Sequence, residues 1–286
     1  MSNTGSILSG LTSSMSSKGA LVVFGVITFL LIILVVCYIA YRVRRKDLRS
    51  VSIVKSPRRL YEMTSPLFFD SDKLPSTLNG QEYSFSSWLY ITDFVTTTDY
   101  KLIMMRGGNG TSIASATPIM FMDNKTNKLY ISIKTNQSSS VSRLSDVLDK
   151  SISKYLTATV EYLPLQRWVQ VAFVVQDNLL SVYLDGDMYT VENVYDFNVP
   201  GTSRPVFAGT SGNAIVGNVP GTASTQGFIC KTEFFNYGLS QNDIRAIHDV
   251  GPVSSKNVLA RMGLPAYGVR SPIYREDEIE ENEDHK

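Results

Sequence analysis

Residues able to perform acid, base or nucleophilic chemistry are few and scattered in this chain of 286 residues. Its histidines are His248 and His285, and its cysteines are Cys37 and Cys230. Neither histidine has a second ligand at the spacing that zinc sites use. Cys230 and His248 can be drawn as a nucleophile and its base, but a single thiol in an apolar strand is more often a small buried hydrophobe. The sequence therefore favours a protein with no metal centre, no cofactor and no nucleophilic site.

A glycine-rich stretch, RGGNGTS at residues 106–112, is the nearest approach to a phosphate-binding loop. It lacks the Lys followed by Ser or Thr that holds phosphate in such loops. It also lies between two apolar runs, which is typical of a turn that joins strands. We interpret it as a turn.

The stretch ALVVFGVITFLLIILVVCYIAYRVRRKDLRS, residues 20–50, is a charge-free run that ends in a basic cluster. Ala20 to Tyr41 supplies 22 residues, and about 20 apolar residues in a helix cross a bilayer core. A cleaved signal peptide has a shorter apolar region, of about 7–15 residues, followed by small residues. We therefore predict a transmembrane helix from Ala20 to Tyr41, preceded by a disordered, translocated tail at 1–19.

Charge asymmetry predicts the orientation of this span. Lys18 is the single charged side chain before it, whereas the cations just after it are Arg42, Arg44, Arg45, Lys46, Arg49, Lys55, Arg58 and Arg59. The positive-inside rule then places the N-terminus outside and the following domain on the cytosolic face. We predict a basic juxtamembrane linker at 42–62.

The basic cluster also suits an anionic lipid surface, at which each Lys or Arg contributes about 1 kcal/mol. The candidate lipid contacts are Arg42, Arg44, Arg45, Lys46 and Arg49. No aromatic residues interleave with these cations, so the cluster does not favour a nucleic-acid partner. The bilayer is the first predicted partner.

Two observations bear on the compartment and point in opposite directions. Cys230 is alone in the domain after the span, so no disulfide can form within that domain, which fits a reducing compartment. Sequons at Asn109, Asn124 and Asn136 would instead require a lumenal domain. About three such triplets are expected by chance in a chain rich in Asn, Ser and Thr. The charge asymmetry is the stronger signal and favours the cytosolic face.

The region after the linker has the period-two pattern of β-strands. In EYSFSSWLYI, residues 82–91, Tyr83, Phe85, Leu89 and Ile91 share one face. Later apolar runs are separated by turn residues at 123–127, at 176–178 and at Asp185-Gly186, and each turn predicts a hairpin. A final strand, GFICKTEFFNY, begins at residue 227.

A single late helix follows that strand. Ser240 can cap QNDIRAIHD, with Asp243 as the capping-box partner, and Gly251-Pro252 ends the helix. Many strands with one late helix predict two packed antiparallel sheets over residues 63–251.

The chain from about residue 67 to 251 resembles the concanavalin A-like lectin/glucanase jelly roll, in its laminin G-like form. The resemblance lies in YSFSSWLYI, in LQRWVQVAFVVQDNLLSVYLDGDMY and in GFICKTEFFNYGLSQNDIRAIHDVGP, which occur in the family's order. It implies an all-β, two-sheet antiparallel jelly-roll sandwich. The residues that match the family's structural motifs are Trp88, Trp168, Tyr183, Asp185, Gly186, Phe235, Leu239, Ser240 and Ile244.

The resemblance does not imply an enzyme. The glucanase branch of the fold carries Glu-x-Asp-x-x-Glu on one strand, where two carboxylates act as nucleophile and acid. This spacing does not occur here, so we predict no catalytic residues. Some laminin G-like domains hold calcium at a rim, and Asp123, Asn124 and Asn127 are the weak candidates for it. Hairpin turns prefer the same residue types.

The C-terminal segment, 252–286, has a different composition. Its first part has Pro and Gly and no sustained period, and it is predicted to be an extended arm that packs on a neighbour. The last twelve residues, REDEIEENEDHK, include seven acids, which is typical of a solvated, disordered tail.

Two function classes remain open at this point. The first is a membrane-anchored structural protein whose β-sandwich binds a protein partner on the cytosolic face. The second is a lectin-like adhesion module that binds a glycan and faces the lumen. The layout of one span and one laminin G-like domain resembles membrane proteins of large icosahedral DNA viruses. It implies, for the first class, a minor capsid protein in a virion's internal membrane that faces and binds capsid proteins.

Overall fold

The computed structural model describes residues 17–47, 49–61, 66–75, 82–107, 112–114, 116–149, 155–197 and 205–252. The predicted N-terminal tail at 1–19 and the C-terminal segment at 252–286 lie almost entirely outside these ranges.

The first element is the helix α1, Ser17–Asp47. It begins before the predicted span and continues through the basic residues 42–46, which are therefore helical. Its side chains are described from Val23 to Ile39, and the large apolar ones among them are exposed along the whole stretch. No helix in the described part of the chain meets the length and apolarity of a membrane span.

The strands that follow form two antiparallel sheets. In chain order they are β1 (Ser50–Val54), β2 (Arg58–Arg59), β3 (Leu67–Phe69), β4 (Tyr83–Ile91), β5 (Lys101–Arg106), β6 (Ile119–Met122), β7 (Leu129–Ile133), β8 (Leu156–Val160), β9 (Trp168–Gln176), β10 (Leu179–Leu184), β11 (Asp187–Asn193), β12 (Ala214–Val216) and β13 (Gly227–Phe235). Short helices are α2 (Leu144–Leu148) and α3 (Gln241–Val250), and 3₁₀ turns cover Ser71–Lys73 and Val194–Phe197. The first sheet has the order β1-β13-β4-β9-β10-β11, with β2 also paired to β13. The second has the order β3-β12-β5-β6-β7-β8. The predicted all-β, two-sheet sandwich is confirmed.

The sandwich begins earlier in the chain than the sequence pattern indicated. β1 and β2 lie within the segment predicted to be a linker, and both pair with the last strand, β13. The pattern was hard to see because Val51, Ile53 and Val54 are set among basic residues that suit a membrane surface. These residues form a strand because they pair with β13, about 180 residues away in the chain, with Ser50 opposite Phe235.

Apolar side chains from both sheets fill the space between them. The predicted inward face of β4 is confirmed, because Tyr83, Phe85, Leu89 and Ile91 all lie in this inter-sheet core. The rings of Phe85 and Phe173, on neighbouring strands, stack at 5.3 Å between centroids. The hairpins predicted at 123–127, 176–178 and 185–186 join β6 to β7, β9 to β10, and β10 to β11.

Replacement of Ile244 by Ala tests how strongly α3 is held to the first sheet. Ile244 is fully buried between the helix and that sheet. Its truncation leaves a cavity, so we expect the free energy of unfolding to fall by about 2–5 kcal/mol. Val250 lies on the same helix but is 67% exposed, so Val250→Ala should change it by less than about 0.5 kcal/mol. Urea unfolding of the full chain in detergent measures both. Equal effects would contradict the packing described.

Candidate functional site

The outer face of the first sheet, where a glucanase would carry its catalytic carboxylates, is covered by the chain itself. Ser84 of β4 bonds directly to the segment that covers it. The Ser84 hydroxyl donates to the Tyr237 carbonyl at 2.8 Å and accepts from the Leu239 amide at 2.9 Å. Small hydroxyl side chains at this face allow the covering segment to approach the sheet closely.

Gln170 of β9 continues this polar layer. Its side-chain amide donates to the Ser86 hydroxyl at 3.1 Å and lies 3.4 Å from the Ile244 carbonyl. An amide at this position is therefore bonded to α3 and is not presented to a ligand. The face that would carry catalytic carboxylates in a glucanase carries Ser and Gln here.

Helix α3 lies on this face because its sequence fixes both its start and its apolar side. Ser240 caps it, accepting from the Asp243 amide at 3.2 Å, while the Asp243 carboxylate accepts from the Ser240 amide at 3.0 Å. The predicted capping box is thus confirmed. The helix packs on the sheet through an apolar cluster made of Ala172, Val174, Tyr183, Phe235, Leu239 and Ile244.

The remaining family-motif residues surround the same helix. The buried Trp88 ring stacks on His248 of α3 at 5.3 Å. The Asp185 carboxylate accepts from the backbone amide of Gln170 at 2.8 Å and from the Arg167 guanidinium at 2.9 Å. Gly186 has φ of +86°, and a Cβ there would touch the Arg245 and His248 side chains. These residues shape the β10–β11 hairpin and the surface on which α3 packs.

Trp168 lies farther along the same face, in a row of three aromatic rings. Tyr90 is 5.5 Å from Trp168 and 6.1 Å from Phe228, measured between centroids. Tyr90 and Phe228 are 5% and 6% exposed, so neither presents an open ring face to a sugar. Trp168 alone of the three is partly exposed.

The outer face of the second sheet is covered as well. A second apolar cluster joins that face to residues 141–149, which contain α2, and to Tyr155. Leu144 and Val147 of α2 pack in it, and the Tyr155 hydroxyl donates to the Ala116 carbonyl at 3.3 Å. The sandwich therefore has three apolar layers, and both of its outer faces are largely filled by its own side chains.

The side chains of the three calcium candidates already form hydrogen bonds with other groups of the protein. Asp123 accepts from the amide and the hydroxyl of Thr126. The side-chain amide of Asn124 donates to the Thr98 carbonyl at 3.1 Å, and that of Asn127 to the Leu163 carbonyl at 2.7 Å. The Asp123 contacts are those of a hairpin turn, whereas Asn124 and Asn127 tie the turn to neighbouring segments. No grouping of three acidic, His or Cys residues suited to a metal occurs in the described part of the chain.

Cys230 and His248 do not form a nucleophile and base. The Cys230 thiol is buried and lies 3.4 Å from the Pro252 carbonyl, whereas the His248 ring stacks on Trp88. Burial raises the pKa of Cys230 to about 12, and nearby Lys231 offsets only part of the effect. A protonated, buried thiol is a poor nucleophile.

A groove of about 510 Å³ lies between β1, β13 and α3. Its walls include the cations Lys55 and Lys231 and the acids Glu233 and Asp243. The Lys231 ammonium already donates to the Gly251 carbonyl at 2.6 Å. The groove is therefore charge-balanced. It lies at the edge of the first sheet that adjoins α1.

The opposite edge of the same sheet carries exposed apolar side chains, which we call the β11 patch. It comprises Tyr162, Leu179, Met188, Tyr189 and Val191. The Tyr189 hydroxyl accepts from the Glu161 amide at 3.1 Å, which ties the Tyr162 segment to β11. Exposed large apolar side chains gathered at one edge of a domain are a feature of protein contact sites. Sequence reasoning missed this patch because its members come from three separate segments.

The predicted lipid contacts are only partly described. The side chains of Arg42, Arg44, Arg45 and Lys46 lie outside the described residues. Arg49 is described, and its guanidinium lies 5.8 Å from the centre of the Tyr237 ring. Of the sequons, Asn109 lies outside the described residues, while the side chains of Asn124 and Asn136 bond to backbone groups at Thr98 and Val206.

A family model described as the concanavalin A-like lectin/glucanases superfamily matches residues 70–245. That is 176 of the 286 residues. The chain belongs to this superfamily. Within the matched region lie all the strands from β4 to β13 and the first half of α3, so the concanavalin A-like domain includes both covered faces. β1, β2 and β3 precede the matched region and complete the sheets.

The solved structures that resemble this chain in fold share little sequence with it. A botulinum neurotoxin serotype D binding domain is 14% identical, with a TM-score of 0.48, over 70% of this chain and 44% of its own. A serotype D ligand-binding domain in complex with N-acetylneuraminic acid is 13% identical, with a TM-score of 0.47, over 71% and 46%. Trypanosoma rangeli sialidase is 12% identical, with a TM-score of 0.40, over 63% and 24%. The chain spans less than half the length of these proteins. No curated protein matches the sequence.

Alkylation tests whether Cys230 is a structural thiol. Because burial raises its pKa to about 12, the thiol should stay protonated at pH 8. We expect iodoacetamide at pH 8 to leave Cys230 unmodified in the folded protein and to modify it fully in urea. Mass spectrometry of the Cys230 peptide measures both fractions. Rapid modification of the folded protein would show an accessible, reactive thiol instead.

Proposed function

We propose that this protein is a non-enzymatic, membrane-anchored interaction protein whose β-sandwich binds a protein partner next to the membrane. The observation that carries the proposal is the covering of both outer faces of the sandwich. In this fold, lectins and glucanases need an open face or groove for sugar. Here α3 packs on one of those faces, and residues 141–149 and Tyr155 pack on the other, while the β11 patch remains exposed.

The anchor rests on the composition and exposure of α1. Its described side chains from Val23 to Ile39 are 17 residues with no charge, and the sequence extends this run to Ala20–Tyr41. Large apolar groups project on all sides of the helix. A helix that is apolar all round needs an apolar environment on all sides, and lipid supplies one. The cations after the span favour the N-terminus-out orientation and contact with anionic headgroups.

The partner surface is assigned to the β11 patch because of its place in the sheet. β1 follows α1 directly, and β11 is the strand at the opposite edge. Five strand spacings of about 4.8 Å separate them, or about 24 Å. A protein that connects a membrane to a second layer needs its contact surface away from its anchor, and this edge meets that requirement.

We extend the proposal to a minor capsid role, in which the domain links a virion's internal membrane to capsid proteins. This extension is supported by the layout of one N-terminal helix and one concanavalin A-like domain. A glycan-binding adhesion module is the second candidate, supported by the superfamily and by the partly exposed Trp168. It would require the domain to face the lumen.

Protease protection on sealed vesicles distinguishes the two candidates. The full chain is made in the presence of endoplasmic reticulum membranes and digested from the cytosolic side. We expect the sandwich to be degraded, because the arginine-rich segment stays in the cytosol. Detergent-opened vesicles control for protease access. Protection of the sandwich, with glycan at Asn109, Asn124 or Asn136, would overturn the cytosolic placement and favour glycan binding.

Site-specific photocrosslinking tests the partner surface. Benzoylphenylalanine replaces Tyr189 in the β11 patch or, as a matched control, Phe68 of β3; each native side chain is 44% exposed. In native membranes we expect a discrete protein adduct from position 189, at several times the yield from position 68. Equal yields at the two positions, or adducts to lipid alone, would contradict the assignment of this edge to a protein partner.

A further inference from the structure

Arg106, the last residue of β5, places a guanidinium inside the sandwich. The residue is 4% exposed. Its Nε donates to the Gly212 carbonyl at 3.3 Å, and its Cζ lies 4.4 Å from the centre of the Phe234 ring. Its Nη1 is buried and has no hydrogen-bond partner. Burial lowers the pKa of Arg106 to about 10, so the group is still charged at neutral pH.

Tyr83, the first residue of β4 in the facing sheet, brings a second unsatisfied donor to the same place. Its side chain is fully buried, and its ring centroid lies 6.3 Å from that of Phe234. Its hydroxyl makes no hydrogen bond of good geometry, although the Thr117 side chain lies close to it. Burial raises the pKa of Tyr83, with the neighbouring Thr117 side chain and the Arg106 charge opposing this effect. The hydroxyl therefore keeps its proton and can donate.

The charge of Arg106 has no partner of opposite sign in the described part of the chain. No described carboxylate forms an ion pair with it. Buried charges in proteins are otherwise paired, because desolvation of a lone ion is strongly unfavourable. The Phe234 ring attracts the cation through its π face but carries no net charge. A water molecule would satisfy the two donors but would leave the charge uncompensated.

We propose that Arg106 and Tyr83 bind a small monovalent anion inside the sandwich, with Nη1 of Arg106 and the hydroxyl of Tyr83 as its donors. The anion supplies the missing negative charge and accepts both hydrogen bonds. The backbone beside the guanidinium is tightly packed, since a Cβ on Gly212 would lie 3.0 Å from the Gly107 Cα. Chloride, a small monovalent anion, is the probe for this site.

The test is thermal unfolding of the full chain in detergent at constant ionic strength, with gluconate replaced stepwise by chloride. A ligand that binds only the folded state raises Tm with its concentration. We expect this rise in the wild type, its loss in Arg106→Gln and a reduced rise in Tyr83→Phe. Arg58→Gln is the matched control, because Arg58 is exposed on β2, and it should respond like the wild type.

A wild-type Tm that ignores the exchange of gluconate for chloride would overturn the proposal. An undiminished response in Arg106→Gln would also overturn it. Should Arg106→Gln fail to fold, Tyr83→Phe decides the matter, because it removes one donor and keeps the ring; an unchanged chloride response then counts against the site. In crystals grown with bromide, an anomalous peak beside Nη1 supports the proposal, and a position occupied by water alone contradicts it.

Discussion

Burial of apolar side chains on both faces of each sheet is the interaction on which the rest of this molecule depends. A sandwich with a single inter-sheet core leaves two outer faces for water or ligand. Here alternate residues of the central strands are apolar or small in both directions, so each sheet needs a cover. Helix α3 covers one sheet, and residues 141–149 with Tyr155 cover the other. The hydroxyl of Ser84 lies where a larger side chain would hold the segment that leads into α3 away from the sheet.

The covered faces and the missing carboxylates are consistent with each other. A strand that carries catalytic acids needs solvent and substrate on its outer side, whereas β4 and β9 present Ser and Gln to a helix. Members of this superfamily share the sandwich, and what each does depends on what its outer surface carries. Under the proposed function, the exposed β11 patch at the sheet edge is the surface that binds a protein partner.

Much of the architecture was predictable because its signals are local. Alternation in β4 and β9, the Asp185-Gly186 turn and the Ser240–Asp243 cap each depend on a few adjacent residues. The pairing of β1 with β13 was not predictable, since it joins residues about 180 positions apart. The bulge in β13 is also non-local in origin, and the positive φ of Lys231 there has no sequence signature. The buried Arg106 falls in this second class: in the sequence it reads as the start of a polar turn.

The pairing of β1 with β13 fixes where the chain enters and leaves the sandwich. The strand that follows α1 and the strand that leads toward Pro252 are neighbours. The N-terminal and C-terminal connections of the sandwich therefore lie near the same edge of the first sheet. Under the proposed bridge, tension between membrane and partner runs across the strands, and the ladders bear it in series. The ladder nearest the membrane is short and interrupted between Ser52 and Val54. Under such tension β1 is the first strand to detach. Its detachment lengthens the segment between the membrane and the sandwich, while the remaining strands stay folded.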